Sequence, residues 1–218
     1  MRGGAAIADA LIGTYSPAGR SPVTWYSSDA ALPTNRAEMS LYPNASSGYP
    51  GLTYRYYNSS IVSQQPPIFT FGEGLSYTTF AVDTPVAPAT ITACDPLVLG
   101  VTVRNTGMVA SDVVLQVFLS QAGTSVPSPM SRLVTFARVH VDAGGAVPVT
   151  FPPVPPAYRA VIREAGGDAN DMFSVRGKRW TEAGTLELRV VTGQHNGHAE
   201  GGLSISVTQN GSSDVADC

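Results

Sequence analysis

Apolar and polar residues alternate with period two through most of the chain after residue 83, as in half-buried antiparallel strands. Turn signals at residues 105–107, 142–145 and 196–197 separate the runs. Residues 133–141 and 147–151 add two further strands. The four clearest runs have these apolar members: Leu99, Val101 and Val103; Val113, Leu115, Val117 and Leu119; Leu186, Leu188 and Val190; and Leu203, Ile205 and Val207. Six or seven short strands over ~125 residues predict a mainly β chain, with an immunoglobulin- or fibronectin III-like antiparallel sandwich at 83–210.

Residues 1–80 have a different texture, with one short helix followed by a long run rich in Pro, Gly and Tyr. Apolar residues at positions 7 and 11, and at 8 and 12, stand one helical turn apart, and Gly13 is placed to end the helix. Residues 23–26 predict a short strand. One helix and a loop cannot bury a core alone, so this region needs another apolar surface.

Two stretches between the predicted strands lack periodicity. Residues 152–156 contain four prolines, which lack N–H donors, and predict an extended surface loop rather than a central strand. Residues 157–183 are interpreted as an insertion. Within it Arg176, Lys178 and Arg179 form the densest basic group, which we expect to be a solvated loop rather than an anion site.

Composition excludes several classes of protein. Hydrophobic residues make up 43% of the chain and charged residues 13%, so it is not a disordered tail. The net charge of −3, with scattered basic residues, gives no basis for a nucleic-acid partner. No segment approaches the ~20 apolar residues of a membrane span. Asp9 interrupts the short apolar run near the N-terminus, so no signal peptide is predicted.

The two cysteines, Cys94 and Cys218, belong to no CxxC pair and no Cys/His cluster, so zinc is not expected. One of them is the last residue, where chains fray. We therefore expect two free thiols, with a disulfide in an oxidising compartment as the alternative.

Six segments resemble, in order, the C-terminal half of family 3 glycoside hydrolases. Ser21 and Leu52 replace the Leu and Arg that are usual in the family, and the stretch 45–51 is closer to the β-xylosidase branch than to the β-glucosidases. The segments are GGAAIADALIG (3–13), SPAGRSPVTW (16–25), YPGLTYRYY (49–57), FGEGLSYTTF (71–80), VRNTG (103–107) and LVTFARV (133–139).

The resemblance implies that residues 1–80 are the C-terminal remnant of the family's α/β-sandwich domain, with a linker, and that 83–210 are its fibronectin III-like domain. It also implies secretion and a retaining mechanism, which needs two carboxyl groups ~5–5.5 Å apart. In the family the nucleophile is an Asp of an N-terminal barrel, and the acid/base is usually a Glu of the α/β-sandwich domain. We expect both before residue 1, so no catalytic residue and no cofactor is assigned here.

Several other polar residues are candidate sites. Glu73, between two glycines, is expected to be solvated and not catalytic. Asp168 and Asp171 lie in a Gly-rich loop where calcium is the lesser alternative. His195 and His198 are expected in a turn rather than at a metal, so no metal site is predicted. Asn105 and Arg138 are interpreted as turn and surface residues, and the sequons predict N-glycosylation at Asn44, Asn58 and Asn210.

The aromatic residues of the first region are the remaining binding candidates. Aromatic rings can stack on sugars, but more often they form a core between domains, where each buries a large area. The structural role is preferred, with sugar contact as the alternative. The residues concerned are Tyr49, Tyr54, Tyr56, Tyr57, Phe71 and Tyr77.

The sequence therefore leaves two candidate functions. In the first, the chain is the C-terminal part of a β-glycosidase acting on terminal β-xylosyl residues; it buttresses catalytic domains missing from this chain and is inactive alone. Arabinofuranosidase and glucosidase activity stay open. In the second, it is a stand-alone fibronectin III-like module that binds polysaccharide, such as xylan or an oligosaccharide, or a partner protein.

Overall fold

The computed structural model describes residues 3–28, 40–58, 61, 67–163, 177–193 and 202–218. Helix α1 (Gly3–Leu11) opens the chain, and Gly13 follows it with a φ of 78°, as the sequence predicts. The predicted strand at 23–26 is wrong, because only Trp25 pairs there, in a single antiparallel bridge with Phe69. Backbone up to residue 80 is otherwise mostly irregular, with a 3-10 turn at Ala45–Ser47 and the one-turn helix α2 (Thr53–Tyr56).

The remainder is built from strands and one further short helix, α3 (Pro156–Arg159). The strands in the described residues are β1 (Phe80–Val82), β2 (Thr90–Thr92), β3 (Gly100–Asn105), β4 (Ser111–Gln121), β5 (Arg132–Val141), β6 (Ala146–Thr150), β7 (Val161–Arg163), β8 (Lys178–Thr181), β9 (Gly184–Val191), β10 (Leu203–Asn210) and β11 (Ser213–Asp214). They form a three-stranded sheet β1-β3-β6, a five-stranded sheet β2-β10-β9-β4-β5 and a small sheet β11-β8-β7. Among the pairings of these strands, that of β2 with β10 is parallel and the others are antiparallel.

The two larger sheets share one hydrophobic core, so the predicted mainly β fold with packed antiparallel sheets is confirmed. Val103 of β3 and Leu115 of β4 belong to this core, as does Leu188 of β9, and all three are fully buried. Alternation within each strand places these side chains on the inner face. Along β10 the burial is graded, because Leu203 at its start is exposed while Val207 is buried.

Two interpretations of irregular segments need correction. The proline run is not simply a surface loop: Val154 is buried and bridges Leu97 through backbone hydrogen bonds, while Pro152 and Pro153 stay exposed. Lys178 and Arg179 do not lie in a loop but in strand β8, where both are exposed and Lys178 pairs with Asp214 at 3.3 Å.

The expectation of two free thiols is also wrong, since Cys94 and Cys218 form a disulfide. The chain end is held in place before it reaches Cys218. Strand β11 pairs with β8, and the Asp214 side chain accepts a hydrogen bond from the backbone N–H of Ala216, which caps a final 3-10 turn. This turn brings the last residue back to the segment that follows β2.

A buried arginine supports the same corner. Arg159 of α3 is 2% exposed, and burial lowers its pKa from the ordinary value. Its Nε donates to Gln209 Oε1 at 2.7 Å, and its Nη2 donates to the carbonyl of Ala93 at 2.7 Å. The side chain therefore joins α3, β10 and the residue before Cys94.

None of the helices in the described part of the chain is long and apolar enough to cross a membrane.

Candidate functional site

Aromatic residues of the first region pack on the outer face of the five-stranded sheet. The ring of Tyr54 in α2 stacks on that of Phe71, with centroids 3.8 Å apart and an interplanar angle of 8°. Both rings meet Phe118 of β4 edge-on, at 6.2 Å. Such contacts add to the apolar area that the rings bury. Residues around 54 and 71 thus cover a sheet face that would otherwise be exposed.

Polar contacts from the Gly-rich turn at 72–74 reinforce this packing. Gln116 of β4 donates from Nε2 to the carbonyl of Gly72 at 3.1 Å, and the N–H of Gly74 donates to the carbonyl of Gly193 at 2.8 Å. Gly72 has a φ of 86°, and a Cβ there would stand 2.2 Å from Gln116 Oε1. Its left-handed conformation therefore favours glycine, and any side chain there would also displace the Gln116 amide.

Arg20 connects the same turn to the end of β9. Its Nε donates to the carbonyl of Thr192 at 2.8 Å, and burial lowers the pKa of its guanidinium. The N–H of Ser21 donates to the carbonyl of Glu73 at 2.8 Å. The first region is therefore fastened to the sandwich by backbone and side-chain hydrogen bonds as well as by rings.

Asn105 is a fastening point and not a surface residue, contrary to its sequence interpretation. It is fully buried at the end of β3. Its Oδ1 accepts the Thr78 hydroxyl at 2.6 Å, and its Nδ2 donates to the carbonyls of Val109 and Val141. Arg138 does lie at the surface, where it pairs with Asp112 at 2.7 Å.

Glu73 is likewise not solvated. It is 8% exposed, and its Oε2 accepts the backbone N–H of Thr70 at 2.6 Å, which ties the carboxylate into its own turn. Asp168, Asp171, His195 and His198 lie outside the described residues. Within the described ranges, no three His, Cys, Asp or Glu side chains converge as metal ligands would.

A groove of about 850 Å³ opens between α2, the start of β5, α3 and the β7-β8 pair. Three of the six predicted aromatics line it: Tyr54, Tyr56 and Phe71. Sequence reasoning missed Phe118, because it lies on the outward face of β4, where contacts with Tyr54, Phe71 and Arg189 accompany its burial. It also missed Tyr158 at the groove, which is a single ring in the aperiodic stretch.

Three arginines line the groove, namely Arg55, Arg132 and Arg179. Arg132 donates from Nη1 to the carbonyls of Tyr158 at 3.0 Å and Ala160 at 2.8 Å. Burial, and then the nearby charge of Arg55, lower the pKa of Arg132. Burial raises the pKa of Tyr56, which also lies beside Tyr42 with ring centroids 4.9 Å apart.

The other predicted aromatics lie outside this groove. Tyr49 is buried and its hydroxyl donates to the carbonyl of Ser40 at 2.6 Å. Tyr57 meets Tyr26 edge-on at 5.2 Å. The Tyr77 hydroxyl donates to the carbonyl of Ala10 at 2.8 Å, so Tyr77 holds the C-terminal end of α1.

The sequon asparagines occupy three different settings. Asn44 is exposed and caps the 3-10 turn, since its Oδ1 accepts the N–H of Ser46 at 3.1 Å. Asn58 is half-buried, and its backbone N–H donates to the carbonyl of Pro50. Asn210 is exposed at the end of β10.

The helix α1 leaves its apolar side chains uncovered. Ile7 is 63% exposed, and Leu11 and Ile12 are each 76% exposed. Trp25, Ile68 and Leu75 of the same region are exposed as well. The surface that α1 was expected to need is therefore not supplied by the described part of the chain.

Comparison with known proteins agrees with these motifs. Residues 1–77 match the family described as "Glycosyl hydrolase family 3 C-terminal domain". A probable exo-1,4-β-xylosidase of Aspergillus terreus is 37% identical over 147 residues, covering 63% of this chain and 18% of its own length. A periplasmic β-glucosidase of Salmonella typhimurium is 31% identical over 155 residues, covering 69% of this chain and 19% of its own length.

The fold is shared over nearly the whole chain. A solved family 3 exo-β-xylosidase, in complex with a xylobiose aziridine activity-based probe, has a TM-score of 0.76 and 26% identity, and it covers 98% of this chain. The chain spans 27% of that protein and at most 24% of the curated relatives' length. By ordered motifs, sequence similarity and fold, this chain belongs to glycoside hydrolase family 3 and carries the C-terminal region of its xylosidase and glucosidase relatives.

Proposed function

We propose that this chain is the C-terminal part of a secreted retaining β-glycosidase that removes terminal β-xylosyl residues, and that it buttresses the catalytic domains. The observation that carries the buttressing role is the exposed apolar face of α1, beside a sandwich that buries its own core. Burying Ile7, Leu11 and Ile12 against a partner removes three aliphatic side chains from water, each worth about 1.5–3 kcal/mol. The nucleophile and acid/base belong to that partner.

The proposal of a β-xylosyl substrate rests on the sequence motifs and on the names of two similar proteins. The stretch 45–51 is closer to the xylosidase branch, and both the Aspergillus relative and the solved exo-β-xylosidase are named for that activity. Secretion is supported by the Cys94–Cys218 disulfide, because such bonds persist in oxidising compartments.

A substitution made in two contexts tests the buttressing role. Leu11→Asp should leave the thermal midpoint of the 218-residue chain unchanged, since the side chain is exposed there. In a full-length family 3 parent carrying this C-terminal region, the same change should lower the midpoint and the rate on 4-nitrophenyl β-xyloside. Met108→Asp, at a side chain 95% exposed on the sandwich, is the matched control and should change neither protein.

Equal effects of Leu11→Asp and Met108→Asp in the parent would overturn the buttressing role. The substrate is tested separately, by comparing wild-type parent rates on 4-nitrophenyl β-xyloside, β-glucoside and α-arabinofuranoside. We expect the β-xyloside to be fastest. The 218-residue chain alone should hydrolyse none of the three, and measurable turnover by it would contradict the assignment of both catalytic carboxyl groups to the partner.

The second function, a stand-alone polysaccharide-binding module, is favoured by one observation, the aromatic groove beside α2. Retention of the chain on insoluble xylan or cellulose would support it. Passage through both columns without delay would reject it.

A further inference from the structure

The groove beside α2 is positively charged, which the binding of a neutral sugar chain does not require. Its three ionised side chains, Arg55, Arg132 and Arg179, are all cations, and the described residues that line it include no carboxylate. Two arginines outside the groove have a carboxylate partner, since Arg163 lies 2.7 Å from Glu182 and Arg138 lies 2.7 Å from Asp112. Among the described residues, no carboxylate of this kind faces the arginines of the groove.

Arg132 lines the groove and has a hydrogen-bond donor that is not used within the described part of the chain. Its Nη1 is used by the carbonyls of Tyr158 and Ala160, but among the described residues its buried Nε has no acceptor. Like charges at close range are destabilising, and an anion between Arg55 and Arg132 would relieve the repulsion that lowers the pKa of Arg132. Among the described residues, the groove thus has adjacent positive charges and an unused donor, both of which favour the binding of an anion.

Aromatic and aliphatic side chains also line the groove. Tyr42 and Tyr158 are 42% and 57% exposed, and Pro127 and Ile162 are among the other lining residues. Exposed tyrosine rings offer faces for the C–H surfaces of sugar rings, with hydroxyls at the edge. At about 850 Å³ the groove lies within the size range of ligand-binding clefts.

We propose that this groove binds an oligosaccharide that carries a carboxylate, such as a xylo-oligosaccharide bearing a uronic acid branch. The tyrosines hold the sugar rings, while the arginines that line the groove hold the carboxylate, since guanidinium and carboxylate match as a two-point hydrogen-bonding pair. The anion preference rests on the groove alone. The sugar backbone rests on the proposed carbohydrate function.

Calorimetric titration of the full 218-residue chain tests this with three ligands. They are xylotetraose bearing one glucuronic acid, unsubstituted xylotetraose, and hexaglutamate. We expect the acidic saccharide to bind at least about tenfold tighter than the neutral one, the factor that one charge-assisted hydrogen bond supplies. The preference should shrink as salt is raised, because Arg55 and Arg179 are exposed.

Variants assign the effect to the groove. Arg55→Gln combined with Arg179→Gln should abolish the preference for the acidic saccharide, and Arg104→Gln, an exposed arginine of β3, should preserve it. Tyr158→Ala should weaken both saccharides by a similar factor. Circular dichroism and the thermal midpoint of each variant establish that it is folded. Arg132 is left intact, because it also holds the backbone of α3 in place.

Equal affinity for the two saccharides, no binding of either, or a preference that survives the double arginine variant would overturn the proposal. Hexaglutamate binding as tightly, with the same dependence on Arg55 and Arg179, would show an acidic-peptide site instead and overturn the sugar assignment. None of these outcomes affects the aryl xyloside rates of the parent, so failure here and failure of the proposed hydrolase function are distinguishable.

Discussion

The sandwich and the region before it use apolar residues in opposite ways. The two large sheets bury theirs against each other, and the fully buried core includes Leu115, Leu186 and Leu188. In α1 no residue is buried, although Ile7 and Leu11 stand one helical turn apart, and Ile12 directly after the helix is exposed as well. The spacing of apolar residues therefore predicts an apolar face. It does not show whether the same chain buries that face.

Contacts between the two regions are strong at one end and lacking at the other. Residues 54 and 71–74 pack and hydrogen-bond onto β4 and the end of β9, whereas α1 accepts hydrogen bonds from the Tyr15 and Tyr77 hydroxyls and leaves its apolar side chains exposed. Four measurements can break or sharpen this comparison.

The largest effect is expected from identical substitutions in the two regions. Leu188→Ala opens a cavity at a fully buried site and should lower the free energy of unfolding by about 3–5 kcal/mol. Leu11→Ala, at a residue 76% exposed, should change it by less than about 0.5 kcal/mol. Urea denaturation of both variants measures the difference. Similar losses would mean that α1 is buried in solution.

The disulfide should have the next largest effect. Replacing both cysteines, Cys94→Ser with Cys218→Ser, opens a closure spanning 124 residues and should cost about 3 kcal/mol. Wild-type protein reduced with dithiothreitol should show the same lower midpoint, which controls for the serines. If oxidised and reduced protein unfold at the same denaturant concentration, the bond contributes nothing to the sandwich.

Glu182, which follows β8, should give a smaller, pH-dependent loss. Burial alone would raise its pKa, but hydrogen bonds from Ser125 and Arg163 outweigh burial and hold the pKa below its usual value. Because the folded pKa is depressed, the stabilisation is present above the unfolded pKa of about 4.3 and disappears as pH falls through the folded value. Glu182→Gln should cost about 2 kcal/mol at pH 7.

The free energy of unfolding of wild type and Glu182→Gln is measured across pH 3–7, a range of about four units that includes the carboxyl pKa. The difference between the two proteins tests the sign of this pH dependence. The gap between them should narrow towards acid. Glu187→Gln provides the control, since Glu187 is an exposed carboxylate of β9. A gap that is constant with pH would assign the effect of Glu182 to packing rather than to its charge.

The smallest effect concerns the seam between the regions. A double-mutant cycle of Phe71→Leu and Phe118→Leu should give a coupling energy of about 1 kcal/mol, because the rings meet edge-on at 6.2 Å. Pairing Phe118→Leu with Trp25→Leu, at a ring that is 59% exposed, should give none. A coupling energy of zero between Phe71 and Phe118 would show that this contact does not help to hold the first region on the sandwich.

Strands were predictable where one face packs in the core and the other faces solvent, because apolar and polar residues then alternate along the sequence. The runs around Val101, Val113 and Leu186 show this, and each is buried as expected. Where the outer face is also covered, the pattern misleads. Gln116 and Phe118 occupy outward positions of β4, yet both are buried by residues more than 40 positions earlier in the chain.

Polar residues were the weakest point of sequence reasoning, since their setting depends on partners from distant segments. Asn105 and Glu73 stand in Gly-containing turns that usually face water, yet both are buried with hydrogen bonds. Gln209 carried a usable signal, because it follows Leu203, Ile205 and Val207 on the inner face of β10. A polar residue continuing an inward series predicts a buried hydrogen-bonding role, here with Arg159.

The sequence by itself determined the sandwich and the helix, because local alternation and helical spacing report burial directly. Ordered motifs determined the family resemblance. Only the tertiary structure decided that Cys94 meets Cys218, that the first region seats its rings on Phe118, and that three arginines converge on one groove. The physical reason is the same each time: these pairs are far apart in sequence, so no local pattern records their approach.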